Sequence, residues 1–292
     1  EVIILNNDVP ETVKVSGQGI DNIPPSITYD PSILAATPVN ENTQIPIQAG
    51  ISDNNMIDWA RLFYRQGGKT TYDSLSMTKN GSNYTGSIPS AYITRRGVEY
   101  YIKAYDGANA KVIPTTAPAT PAIIKVRIPN LPPITTLAEN YEMLSIPSEL
   151  ARKNVKSILE DLLGVYDVNA WRLFRWINGA YVELVDNANF AFDPGRAYWL
   201  ITVDQKVIAF DTCVSVQTDQ NYIMSLDNGW NQVGTPFYFP VECQDIFSSS
   251  PGVVQGGVAF EYDGTGWINA DIMQPFKGYF VYTPSGGNIL RF

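Results

Sequence analysis

The chain begins with an apolar run, Val2, Ile3, Ile4 and Leu5, then a polar turn, NNDVPE, then TVKVSGQG with Val13 and Val15 alternating against polar neighbours. Apolar runs flanking such a turn predict a hairpin over residues 1–19. From residue 20 to 129 the pattern becomes a series of short β runs: QIPIQAGIS, WARLFYRQ, TYDSLSMT, NYTGSIPS, VEYYIKAYDG and AIIKVRIP. Turn signals at Asp53-Asn54-Asn55, Gly67-Gly68, Asn80-Gly81 and Asp106-Gly107 separate most of them. About seven short strands in ~100 residues predict a β-sandwich. Trp59, Leu62, Tyr64, Ile102 and Ala104 are its expected core. Pro24-Pro25 marks its start. Pro129, Pro132 and Pro133 close it with a stiff linker, residues 130–139, that is expected not to continue a sheet.

Residues 140–292 carry an internal duplication, with copies at about 140–210 and 221–292. NYEMLSIP at Asn140 matches NYIMSLDNGWNQVGTPF at Asn221, and WRLFRWINGAYVEL at Trp171 matches VAFEYDGTGWINADI at Val258. FDPGRAYWLITVDQKVIAF matches MQPFKGYFVYTPSGGNILRF. The alignment pairs Trp176 with Tyr262, Tyr181 with Trp267 and Trp199 with Phe280. Two copies imply a pseudo-twofold β unit in which each buries its face on the other. In the first copy Val155, Ile158, Leu159, Leu162 and Leu163 recur at helical spacing before Gly164, a C-capping residue. The second copy has FPVECQDIFSSS there, so its helix is expected to be short or absent. The fold class read from these patterns is mainly β: an immunoglobulin-like β-sandwich followed by a duplicated β-rich domain with one short helix.

Three stretches resemble known families. ILNNDVPETVKVSGQG resembles the closing hairpin of immunoglobulin-like domains of the abnormal-spindle/hydin type, although the body of such a domain is not part of the match. EYYIKAYDG, with the YR of LFYRQGG, resembles bacterial immunoglobulin-like or fibronectin type III-like domains. The tandem C-terminal repeat is similar to repeats in large secreted or surface proteins of bacteria. These resemblances imply an extracellular or cell-surface location.

Composition sharpens the picture by exclusion. The net charge is −9 and the basic clusters Arg95-Arg96 and Arg152-Lys153 are short. Nucleic-acid binding, which needs a basic stripe, is therefore not expected. No apolar run approaches the ~18 residues of a membrane span. No signal peptide or initiator Met is present, so a removed leader or a longer parent chain is expected. Histidine is absent, which removes the commonest general base and metal ligand. No spacing pairs two carboxylates, such as Glu160-Asp161 or Asp263, for glycoside hydrolysis. The chain is thus expected not to be an enzyme and to carry no cofactor.

The remaining chemistry is that of binding. The two cysteines, Cys213 and Cys243, are expected to form a disulfide, against the alternative of two buried thiols. Asp53, Asn55 and Asp58 in SDNNMID could hold calcium, or serve turn chemistry alone. Trp171, Trp176, Tyr181, Trp199, Tyr262 and Trp267 could form a sugar-stacking platform, with Trp176 and Trp267 as its centre, or the seam between the repeats. Asn80 and Asn83 begin N-glycosylation sequons, and Asp73-Ser74-Leu75 resembles a triplet that some bacteria glycosylate on the hydroxyl, here Ser74.

Val2, Ile3, Ile4 and Leu5 require a partner, because a lone two-stranded hairpin is only marginally stable in water. Donation of this strand to a neighbour's sheet would build a head-to-tail homopolymer. The leading expectation is a secreted structural subunit that forms a filament with copies of itself. The alternative is a glycan-binding or adhesive module of a large surface protein.

Overall fold

In the strand Ile45–Ser52, Ile45, Ile47, Ala49 and Ile51 are buried while Pro46, Gln48 and Ser52 are exposed. Period two of this kind decides which face of each sheet is wet. The computed structural model describes residues 2–6, 9–13, 19, 21–186, 189–285 and 288–292. It is mainly β. One sheet of the sandwich runs Ser26–Thr28, Ile45–Ser52, Asn83–Ile88, Thr78–Asn80. The other runs Ala110–Ile113, Val98–Tyr105, Trp59–Gln66, Asp73–Ser76, with Ala122–Ile124 also paired to Val98–Tyr105. Ile47, Ile51, Leu62, Ile88, Tyr100 and Ile102 meet between them.

Leu62, Tyr64, Ile102 and Ala104 lie in this core, but Trp59 is only half-buried. The reason is parity. Ala60, Leu62 and Tyr64 face inward, so Trp59 stands on the opposite face, against Tyr105 at 5.5 Å.

The segment 130–139 is stitched into the first repeat. Leu131 is buried, Ile134–Thr135 pairs with Val207–Ile208, and the Thr136 and Thr202 hydroxyls are 2.7 Å apart. Pro132 and Pro133 precede the paired residues, so no ladder N–H is missing.

The two repeats fold alike. The first has strand order Glu142–Ser145, Ala197–Thr202, Trp171–Ile177, Ala180–Glu183. The second has Gly229–Val233, Tyr279–Thr283, Ala259–Tyr262, Trp267–Ala270. Register matches rung for rung. Met143 opposes Trp199 as Gln232 opposes Phe280. Phe174 opposes Trp199 as Phe260 opposes Phe280. Trp176 opposes Tyr181 as Tyr262 opposes Trp267. Each first strand ends by bridging the other repeat: Leu144 to Lys277, and Val233 to Arg196. The exchange is reciprocal, and the backbones come close. A Cβ on Gly234 would stand 2.3 Å from Ser145 Oγ and 2.9 Å from the Lys277 carbonyl, which only glycine permits.

The helix Val155–Leu163 buries Val155, Ile158 and Leu159. Asn154 caps it by accepting the Ser157 N–H, and Gly164 ends it at φ +92°. The second repeat has its own short helix, Cys243–Ser249, so the expectation of a single helix is corrected. A further short helix, Ser32–Ala36, precedes the main strands of the sandwich.

The expected disulfide is also corrected: Cys213 and Cys243 are both free and buried. Each belongs to the core of a different repeat, Cys213 beside Ile128 and Leu150, Cys243 beside Ile246 and Met273. Burial pushes both thiols up to about 11, which keeps them protonated and unreactive at neutral pH.

The sandwich and the repeats share a polar seam. Val126–Ile128 pairs with Cys213–Val214. The Arg96 guanidinium lies 3.7 Å from the centre of the Phe239 ring, and Arg95 donates to the Tyr238 hydroxyl. Glu99, 1% exposed, accepts from Arg65 Nε at 2.7 Å and from the Thr218 hydroxyl at 2.6 Å.

Candidate functional site

The reciprocal packing leaves one side of the repeat pair open, and aromatic rings line it. A basin of about 390 Å³ is walled by Trp176, Tyr181, Trp230, Phe260, Trp267 and Phe280. A second, of about 310 Å³, is walled by Tyr141, Phe174, Tyr181, Trp199, Tyr262 and Trp267. Both fall at the small end of the range of ligand pockets. The register places Tyr141 where the second repeat has Trp230, two residues before Met143 and Gln232 respectively. Exchanging every residue of the first basin for its counterpart then yields the second basin, residue for residue. Tyr181 and Trp267 exchange with each other and belong to both, so they form the ridge between two equivalent subsites.

The rings are held by one another. Trp176 meets Tyr181 edge-on at 4.8 Å, Trp267 meets Phe280 at 5.3 Å, and Trp199 meets Tyr262 at 5.4 Å. Phe280 and Trp199 are buried and form the floors, whereas Tyr181, Trp267, Trp230 and Tyr141 are 40–52% exposed. Large aromatic surface contiguous over two basins is uncommon on a protein with no partner for it. Trp176 Nε1 is buried and lacks an acceptor, and so does Gln232 Nε2, although Gln232 Oε1 takes the Trp176 backbone N–H. Both donors are closed off from solvent, and Gln232 is not among the residues that line either basin.

The second basin continues into a polar one lined by Asn140, Glu142, Glu261, Asp263 and Lys277, among others. Its carboxylates are engaged locally. Glu261 is ion-paired with Lys277, and Glu142 accepts the Leu137 N–H. Asp263 caps its own turn through Thr265 and Gly266. Burial pushes the Glu142 carboxyl up, partly offset by the Leu137 hydrogen bond.

Arg172 lies over the Phe174 ring, with its guanidinium carbon 4.8 Å from the centroid, and donates to both oxygens of Glu183 at 2.7 Å. That bond to Arg172 holds the Glu183 carboxyl below its ordinary value, against the opposing effect of burial and with help from Tyr166. A depressed carboxyl stabilises the fold above the unfolded value of ~4.3, and the contribution is lost as pH falls through the folded value. Arg172 is well exposed, so the contribution is screened to about 0.5–1 kcal/mol. Glu183→Gln is therefore expected to lower the urea midpoint at pH 7 and to lower it by less at pH 2.5. Equal losses at both pH values would assign the effect to packing.

Sequence reasoning found Trp176, Tyr181, Trp199, Tyr262 and Trp267, and the fold brings them together. Trp171 is not among them. It is 2% exposed in the first repeat's core, and its Nε1 donates to the Gly164 carbonyl. Tyr141, Phe174, Trp230, Phe260 and Phe280 also line the groove. Extending the repeat alignment by register, instead of by identical residues, finds them.

The other candidates lie elsewhere. Asn80 and Asn83 are opposed, exposed residues of one hairpin, and Ser74 is exposed on the strand Asp73–Ser76. Asn55 donates its N–H to Asp53 Oδ1, and Asp58 is exposed with its N–H on the Tyr105 carbonyl. The carboxylates that converge with Asp53 are instead Asp21 and Asp106. Val2, Ile3, Ile4 and Leu5 pair with Val13, Thr12, Glu11 and Pro10 in a two-stranded hairpin that joins no other strand among the described residues. Their side chains lie outside the described residues. Among the described residues no helix is long and apolar enough to cross a membrane.

Compared with known proteins, the chain matches no protein-family model and no curated protein sequence.

Proposed function

We propose that this chain is a non-enzymatic, extracellular glycan-binding module that holds a saccharide chain across the two aromatic basins. The observation that carries the reading is the pair of equivalent basins sharing Tyr181 and Trp267. Exposed indole and phenol faces offer flat apolar surface to the C–H faces of pyranose rings, and the adjoining polar basin supplies hydrogen bonding. Two equivalent subsites suit a ligand that repeats. The local engagement of Glu142, Glu261 and Asp263 supports binding over hydrolysis.

The test is a glycan array on the full chain, followed by calorimetry with the best oligosaccharide and its monosaccharide. Tyr141→Ala and Trp230→Ala, one in each basin, are expected to weaken the oligosaccharide similarly. The monosaccharide is expected to bind much more weakly. An array with no signal, or equal affinity for both lengths, would remove the two-subsite reading.

A second reading, filament assembly by strand donation, is favoured by the hairpin Val2–Asn6/Val9–Val13, which pairs with no other strand among the described residues. Both its edges offer hydrogen-bonding groups to a neighbouring copy. Deleting residues 1–12 is then expected to convert polymers into monomers in negative-stain images and light scattering. A full chain that is already monomeric at high concentration would dismiss it.

A further inference from the structure

At one end of the sandwich three carboxylates meet: Asp21 before the first sandwich strand, Asp53 just after Ile45–Ser52, and Asp106 just after Val98–Tyr105. One oxygen of each lies within 4.8 Å of the others. Such a cluster by itself means little on an acidic protein. Two further observations separate this one from solvated surface.

First, Asp21 Oδ2 and Asp53 Oδ2 are sealed from solvent and accept no hydrogen bond. An anionic oxygen buried without a donor is among the costliest arrangements in a fold unless a cation meets it. Second, Asp106 is 94% buried by residue, being 6% exposed, and no lysine or arginine pairs with any of the three carboxylates among the described residues. Asp106 spends Oδ1 on the N–H groups of Ala108 and Asn109, and its Oδ2 takes only the Asn109 amide at 3.2 Å. The same Asn109 amide holds the Asp21 carbonyl at 3.1 Å, so the cluster is braced from its back. Asp21 Oδ1 takes the Ile23 N–H, and Asp53 Oδ1 the Asn55 N–H, which turns each second oxygen away from those donors.

We propose that Asp21, Asp53 and Asp106 form a calcium site. Three negative charges with oxygen-only donors select a hard divalent cation. A cation placed among oxygens no more than 4.8 Å apart stands within about 2.8 Å of each, which admits calcium–oxygen bonds of ~2.3–2.6 Å, and magnesium is disfavoured because it demands a near-ideal octahedron and gives up its water reluctantly. Water completes the coordination. The ion ties the segment that enters the sandwich to the ends of two core strands.

The full chain, stripped with EDTA, is titrated with calcium chloride by calorimetry and melted with and without the ion. One site per chain is expected. The melting temperature is expected to rise by about 5–10 °C at calcium a hundredfold above its dissociation constant. Asp21→Asn and Asp53→Asn, each verified as folded by near-ultraviolet circular dichroism, should weaken binding at least tenfold, whereas Asp58→Asn should not. An unchanged melting temperature and no binding heat in the unmutated chain would overturn the proposal. So would a larger response to magnesium chloride alone, or loss of calcium binding in Asp58→Asn but not in Asp53→Asn.

Discussion

Trp267→Ala is expected to cost about 2 kcal/mol of glycan binding, roughly a thirtyfold loss of affinity, the magnitude of a central aromatic anchor. The reason is position. Trp267 belongs to both basins and meets Trp199, Tyr262 and Phe280. Its removal merges the two subsites and takes a stacking face from each. Stability should change by much less, because the side chain stands on the edge strand Trp267–Ala270 with 47% exposure. Calorimetry against the best array ligand, with thermal melting alongside, separates the two effects. Trp267→Phe should recover part of the affinity. If Trp267→Ala binds as the parent does, the ridge is only a seam between repeats.

Glu99→Ala is expected to destabilise the chain by about 3–5 kcal/mol, the cost of breaking a buried ion pair by removing one partner. Glu99 is 1% exposed. Without it Arg65 keeps the Thr70 carbonyl and the Tyr72 face but loses its counter-charge. Thr218, which reaches across from the segment between the repeats, loses its acceptor. Glu99→Gln retains the shape and one acceptor oxygen, so it should lose about half as much. Urea unfolding followed by tryptophan fluorescence measures both. A loss below ~1 kcal/mol for Glu99→Ala would mean that the Arg96–Phe239 stack and the strand pairing Val126–Ile128 with Cys213–Val214 hold the seam without it.

Period-two burial and turn signals made the β character and the sandwich strands legible. The recurring Pro-x-Arg/Lys-Ala/Gly-Tyr made the duplication legible, down to the equivalence of Trp176 with Tyr262 and of Tyr181 with Trp267, which occupy the same rungs of their hairpins. What escaped depends on phase or on distance along the chain. Trp59 lies one residue out of phase with Leu62 and Tyr64, and apolarity alone does not show that. Cys213 and Cys243 look like partners by count, but each serves its own repeat's core. Trp230 and Tyr141 share no identity that marks them as equivalent, and only register relates them. Asp21 and Asp106 meet Asp53 because three separate segments end at the same pole of the sandwich, which no local motif encodes.

The reciprocal bridges Leu144–Lys277 and Val233–Arg196 have the form of an isologous dimer interface drawn within a single polypeptide. Two identical subunits must mirror every change across their axis, so a groove on that axis reads a ligand equally in both directions. Joining the halves covalently lifts that constraint. Tyr141 stands opposite Trp230 in the plan, and Trp176 opposite Tyr262, so the ends of the groove differ. Under the proposed reading, a saccharide with one reducing end would meet in that groove a host that tells its head from its tail.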